Sequence, residues 1–269
     1  MRISEAIKLL SEAGIDSARH DAREIFVRIG GFKLCDLIIS DAEADSDEVR
    51  EAIARRAQRE PLQYIIGEVD FYKERYTVSP ECLIPRADTE LLVDYAVKNL
   101  PSGESFIDLC TGSGCVAIST LKNTKNTTAV AVDISEGALA LARKNAEQNG
   151  VTDRISFVLR DAKSEALEGE FFAILSNPPY VTDEEYEHLE PEIYHEPKLA
   201  FVGGEDGLDF YKSILSLYID RIKPQGFIAF EIGFEQGDAL TSLAKEHGAT
   251  AEILKDLSGN DRVAVIKRA

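Results

Sequence analysis

From Ser105 onward, short apolar runs alternate with amphipathic stretches, and that alternation leaves few folds open. Ser105 to Leu109, Thr128 to Asp133, Ile155 to Leu159, Phe171 to Ser176 and Phe227 to Ile232 read as strands. Gly114 to about Leu121, Ser135 through Ala146, Leu208 to Ile222 and Asp238 to His247 read as the helices around them. Strand and helix in turn give a parallel sheet covered on both faces. The tail breaks the pattern. Ala251 to Leu254 and Arg262 to Ile266 flank Ser258-Gly259-Asn260-Asp261, a hairpin turn, so the last two strands are expected to be antiparallel. The fold class expected is α/β, a Rossmann-like, mostly parallel sheet with an antiparallel C-terminal hairpin.

The first 66 residues have a different periodicity. Ser4 is placed to cap a helix carrying Ala6, Ile7, Leu10 and Ala13, and Ser17 to start a second with Ala22, Ile25 and Phe26. Lys33 to Ile39 reads as a third, and Ser46 caps a fourth that Pro61 ends. Residues 1–66 are therefore expected to form a small helical bundle, 67–84 a hairpin or linker, and 85–269 the α/β domain. The region from 181 to 205 is long, acidic and irregular, and reads as a functional loop.

Composition excludes several classes. No apolar run reaches the roughly 20 residues that span a bilayer, and the N-terminus lacks a signal-peptide core, so a cytoplasmic protein is expected. With 48 acidic against 30 basic side chains the net charge is −18, which speaks against a broad phosphate-binding surface. Cys35, Cys82, Cys110 and Cys115 form no C-x-x-C pair and the histidines are scattered, so no metal site is expected.

Asp108-Leu109-Cys110-Thr111-Gly112-Ser113-Gly114 closes the first strand of the α/β region. Glycines at such a turn let a ligand approach the backbone, and Asp133, ending the next strand, can accept both hydroxyls of a ribose. Asp161, at the third strand end, can bond an adenine amino group. These residues outline an adenosine site. Gly112-x-Gly114-x-x-Ala117 also fits a dinucleotide fingerprint. Asp108 weighs against it: a carboxylate there would repel a pyrophosphate and suit the cationic S-adenosylmethionine.

Phe171 to Ser176 runs into Asn177-Pro178-Pro179-Tyr180. Two prolines remove two backbone donors and stop the sheet ladder. What remains is a stiff turn with free carbonyls, the amide of Asn177 and the flat ring of Tyr180. That set suits gripping a planar NH2 by its two hydrogens. On this reading Asn177, Pro178 and Tyr180 are the catalytic candidates, and Pro179 and Arg86 join them at the substrate. Arg86 has two readings, as a brace for the segment before the domain or as a bond to a substrate carbonyl.

These stretches resemble the HemK/PrmC methyltransferases. The similarity runs through Pro61 to Glu68, Leu83-Ile84-Pro85-Arg86 with Thr89-Glu90, Asp108 to Gly114, Asn177 to Tyr180, Gly203 to Leu208, and Ser258 to Arg262. Members methylate N5 of the glutamine in the Gly-Gly-Gln motif of peptide chain release factors. The resemblance implies S-adenosylmethionine as cofactor, left as S-adenosylhomocysteine, held by Asp108, Cys110, Thr111, Gly112, Ser113, Gly114 and Asp133, with Asp161, Ala162 and Asn177 completing the site. Ala162 stands where the family often has an aromatic. Class one release factors are the expected partners of a monomer that binds neither nucleic acid nor membrane. The alternative is an adenine-N6 or other amino-methyltransferase acting on nucleic acid, which needs the same NH2 grip.

Overall fold

Apolar residues three and four apart close the N-terminal helices around one another. In the computed structural model, which describes residues 1–269, they form α1 (Ile3–Glu12), α2 (Ala18–Arg28), α3 (Leu34–Ile39), α4 (Asp47–Ala57) and α5 (Leu62–Ile66). Ala6, Leu10, Ala22, Ile25, Phe26, Val49 and Ile53 are fully buried among them. Two caps differ from expectation. Glu5 accepts from the Arg2 backbone N at 2.8 Å, so α1 starts one residue before Ser4, whose hydroxyl instead bonds Asp41. The Ser17 hydroxyl turns to the Asp21 carboxylate rather than to a backbone N–H. Ser46 does cap α4, accepting from Val49.

This helical unit comprises Met1–Glu68 together with the distant segment Glu190–His195. A buried ion cluster ties the segment in. Arg56 Nε donates to Asp21 at 2.7 Å, and both side chains are almost wholly buried. Arg56 Nη1 reaches one oxygen of Glu192 at 3.0 Å and Arg59 Nη2 the other at 2.8 Å. Breaking a buried pair by removing one partner costs several kcal/mol, about 3–5, a cost that applies to Arg56–Asp21; Glu192, part-buried, is held by two arginines, one on each oxygen.

The second unit comprises Val69–Leu189 and Glu196–Ala269. A hairpin, β1 (Glu68–Phe71) and β2 (Glu74–Thr77), leads to α6 (Glu90–Asn99), β3 (Ser105–Leu109), α7 (Cys115–Asn123), β4 (Thr128–Asp133), α8 (Glu136–Gln148), β5 (Ile155–Leu159) and β6 (Phe171–Ser176). Then come α9 (Asp183–Tyr186), α10 (Asp209–Tyr218), β7 (Ile222–Glu231), α11 (Gly237–Glu246), β8 (Ala249–Lys255) and β9 (Asp261–Arg268). The strand order is β5-β4-β3-β6-β7-β9-β8, parallel up to β7 and antiparallel through β9 and β8. The α/β sheet with a reversed C-terminal hairpin is therefore present. β7 begins at Ile222 rather than Phe227, because Ile222 pairs with Phe171 before a register shift while Pro224 and Gln225 stay exposed. The 181–205 region is not wholly irregular: it holds α9, two 3-10 turns and a parallel bridge between Val181 and Val202.

Successive side chains on a strand face opposite ways, and β3 shows it. Phe106 enters the core on one face and Ile107 the core on the other. β4 and β6 flank β3 on opposite sides, so strand order reverses at its carboxyl end. Such a switch point opens a crevice for ligands.

Candidate active site

The turn after β3 is built from left-handed backbone: Cys110, Gly112 and Gly114 have φ of 59°, 53° and 81°. At Gly114 a Cβ would come within 3.0 Å of Ile118 and 3.1 Å of Ala142, so only glycine lets α7 start this close to α8. Asp108 lies beneath the turn. Its Oδ2 accepts from the Thr111 hydroxyl at 2.6 Å and the Ala117 backbone N at 3.1 Å. It is 1% exposed and does not line the cavity, so its charge does not face a ligand as the sequence suggests. Burial turns it inward to shape the loop.

That burial has a consequence for stability. Desolvation raises the Asp108 carboxyl from 3.8 to about 7, against the bonds from Thr111 and Ala117 that lower it and with Asp133 adding to the rise. Between those values the folded state keeps a proton that the unfolded state has lost. Its stabilising effect is full below the unfolded value and disappears as pH rises through the folded one. We expect Asp108→Asn, which never ionises, to raise the melting temperature of the ligand-free protein at pH 8, by about 2–4 °C per kcal/mol recovered. It should also flatten the fall in stability between pH 4 and 7. Thermal melts across that range check this; an unchanged slope would count against it.

Asp133 fastens the other side of the turn. Its Oδ2 accepts from Gly112 N at 2.8 Å and its Oδ1 from Ser135 N at 2.9 Å, while burial raises its pKa. Between these loops lies a cavity of about 280 Å³. Its wall includes Cys110 to Ser113, Asp133, Ile134, Asp161, Ala162, Asn177 and Pro179. The cavity fits S-adenosylmethionine: carboxylates at Asp133 and Asp161 can accept from hydroxyl and amino groups, and the half-exposed Ile134 offers an apolar face. Asp161 Oδ1 is taken by the Lys163 backbone N. Ala162 is too small to stack, and Phe210, under the Lys163 ammonium at 4.6 Å, is the aromatic that reaches this wall. Burial pushes the cavity thiols up, Cys82 to about 12 and Cys110 and Cys115 higher still, which disfavours the nucleophilic thiolate at all three.

β6 delivers Asn177 to this cavity, with Ser176 bonded back to Leu109 of β3 at 2.7 Å. Asn177 Nδ2 donates to the Thr89 hydroxyl at 3.1 Å. Pro179 also lines the cavity. Pro178 is buried beside it. The Tyr180 ring packs into the core and its hydroxyl donates to Glu231 at 3.3 Å. Gly203 backs the turn: a Cβ there would sit 2.4 Å from the Pro179 carbonyl oxygen, which accounts for a glycine in that stretch. Gln236 Nε2 holds the Tyr180 carbonyl at 3.2 Å.

Arg86 lines the cavity and pairs with Glu196, whose other oxygen accepts from Ile84 N at 2.8 Å. The brace is thus present, and Glu196 is one of the residues that sequence reasoning missed. Thr89, Gly203 and Gln236 are others. Only Thr89 and Gly203 carried a sequence mark, lying inside stretches of family resemblance.

Comparison with known proteins agrees. A family model described as PrmC N-terminal domain matches residues 3–67, and one described as Methyltransferase small domain matches residues 87–196. A release factor glutamine methyltransferase of Thermodesulfovibrio yellowstonii is 36% identical, covering 93% of this chain and 92% of its own. One from Geobacter sulfurreducens is 34% identical, covering 94% and 91%. The crystal structure of a methyltransferase from Pyrococcus furiosus shares the fold, with TM-score 0.54 at 22% identity over 71% of this chain and 86% of that one. With two near full-length relatives above 30% identity, a matching N-terminal domain and an Asn-Pro-Pro-Tyr turn at the sheet's switch point, the chain belongs to the release factor glutamine methyltransferase family.

Proposed function

We propose that this chain transfers a methyl group from S-adenosylmethionine to the side-chain amide nitrogen, N5, of the glutamine in the Gly-Gly-Gln motif of class one peptide chain release factors. The observation that carries this is the Asn177 amide, tied by Nδ2 to Thr89 at the cavity wall, which leaves Oδ1 as its free acceptor.

Bound S-adenosylmethionine supplies a methyl carbon made electrophilic by its sulfonium. The protein's work is on the nitrogen. An amide lone pair is delocalised into the carbonyl, so catalysis rests on position and electrostatics. Asn177 Oδ1 accepts one N–H of the substrate and the Pro178 carbonyl the other. Two acceptors on one NH2 favour a pyramidal nitrogen and aim its lone pair. Positive charge develops on nitrogen as it is alkylated, and the acceptors hold it more strongly then than before, which is differential binding of the transition state. The proton leaves afterwards, so no strong base is required.

The experiment is labelling. Purified protein with tritiated cofactor is offered release factor with the glutamine intact or replaced, DNA, and ribosomal RNA. Label on the intact factor alone supports the reading, and label on nucleic acid sinks it. The helical unit is assigned to docking of the whole factor, so KM for the intact factor should lie at least about tenfold below that for an excised Gly-Gly-Gln peptide, or roughly 1.4 kcal/mol. Equal KM values would leave the helices without that role. No helix is long and apolar enough to cross a membrane; action in the cytoplasm, as a monomer, is part of the same proposal.

A further inference from the structure

Glu231 ends β7, on the opposite side of β6 from β3. It is 2% exposed, and both of its carboxylate oxygens are engaged. Oε2 accepts the Thr89 hydroxyl proton at 2.5 Å, and Oε1 accepts from the Tyr180 hydroxyl at 3.3 Å. The Tyr211 hydroxyl donates to its backbone carbonyl at 2.9 Å. From β9, Arg262 bridges Asp88 and Asp256 at 3.3 Å each.

A hydroxyl has one proton. Since Thr89 gives its proton to Glu231, its oxygen can only accept on the side facing Asn177. The Asn177 amide must therefore turn Nδ2 toward Thr89, as observed, and Oδ1 away from it. Were Thr89 free to donate instead, the amide could turn over and present NH2 to the cavity. Two donors would then face the substrate NH2, and the grip would fail.

We infer that Glu231, acting through Thr89, is a positioning residue that fixes the polarity of the Asn177 amide and so makes Asn177 an acceptor for the substrate nitrogen. Neither Thr89 nor Glu231 needs to touch a reacting atom. Burial lifts the Glu231 carboxyl to about 7, while the bonds from Thr89 and Tyr180 and the charge of Arg262 hold it down and Asp88 pushes it up. The ionised, accepting form therefore prevails only as pH rises above about 7, and the relay is weakened below it. The inference rests on the reaction proposed above.

The test compares Thr89→Val, Thr89→Ser, Glu231→Met and the Val–Met double variant in methyl transfer to intact release factor. Affinity for S-adenosylhomocysteine is measured by calorimetry beside it. We expect Thr89→Val and Glu231→Met each to lower kcat by about tenfold or more with KM and cofactor affinity little changed. Thr89→Ser, which keeps the hydroxyl, should restore kcat. The double variant should be no worse than the poorer single, since the two act in series. Wild-type kcat in Thr89→Val, a Thr89→Ser as poor as the valine variant, or multiplied losses in the double would overturn the relay. The side-chain NH2 resonance of Asn177 gives a readout that needs no substrate: it should move in Thr89→Val and Glu231→Met and stay in Thr89→Ser. A wild-type protein that labels no release factor would overturn the proposed reaction, and the resonance would then judge the relay alone.

Discussion

Asn177→Ala is expected to abolish most methyl transfer and leave the cofactor bound. The side chain touches the protein through a single hydrogen bond, Nδ2 to Thr89, so little structure depends on it. What is lost is one of the two acceptors for the substrate NH2. Deleting one preorganised group that answers charge in a transition state typically costs about 10²–10³ in kcat. We expect a fall of that order, with the affinity for S-adenosylhomocysteine changed by no more than about threefold, or 0.7 kcal/mol. Single-turnover transfer measured beside calorimetry decides it. If cofactor affinity falls in step with activity, the Asn177 side chain serves the cofactor rather than the substrate nitrogen and the acceptor role is wrong.

Asp133→Ala is expected to have the opposite pattern. The carboxylate holds the Gly112 and Ser135 backbones and lines the cavity, and we propose it as the acceptor for the ribose hydroxyls. Hydrogen bonds to a charged group contribute about 1.5–3 kcal/mol each, and two at the lower end amount to roughly 10²-fold in affinity. We expect the dissociation constant of S-adenosylhomocysteine to rise by that order. At saturating cofactor kcat should recover most of its value, because Asn177 and its partners are untouched. Unchanged affinity would place the ribose elsewhere.

The sheet was legible because burial on both faces writes itself as apolar runs, and the reversed end because Ser258-Gly259-Asn260-Asp261 has turn chemistry. The Asn-Pro-Pro-Tyr turn was legible for a similar reason: proline's lost donor has only one meaning at a strand end. What failed was direction. Asp108 sits on β3 just before the turn, where the sequence puts it, but its side chain is buried away from the cavity, since sequence gives position along a strand but not whether a side chain finds partners below or ligand above. The pairing of Thr89 with Glu231 was opaque in another way. They lie 142 residues apart, and only folding brings a hydroxyl and a carboxylate to 2.5 Å. Glu196, bonded to a backbone N 112 residues earlier, is a like case. Pairings of that range leave no local periodicity to read.

Glu192 completes the ion cluster of the helical unit, yet it follows Arg56 by 136 residues. During synthesis the first helices emerge early, but Arg56 and Arg59 must wait for most of the α/β unit to be translated before their shared carboxylate exists. The N-terminal unit is therefore begun first and finished late. Its last piece arrives on the same stretch of chain that has just delivered Asn177, so a ribosome releasing a truncated product before residue 192 yields helices that lack their lock.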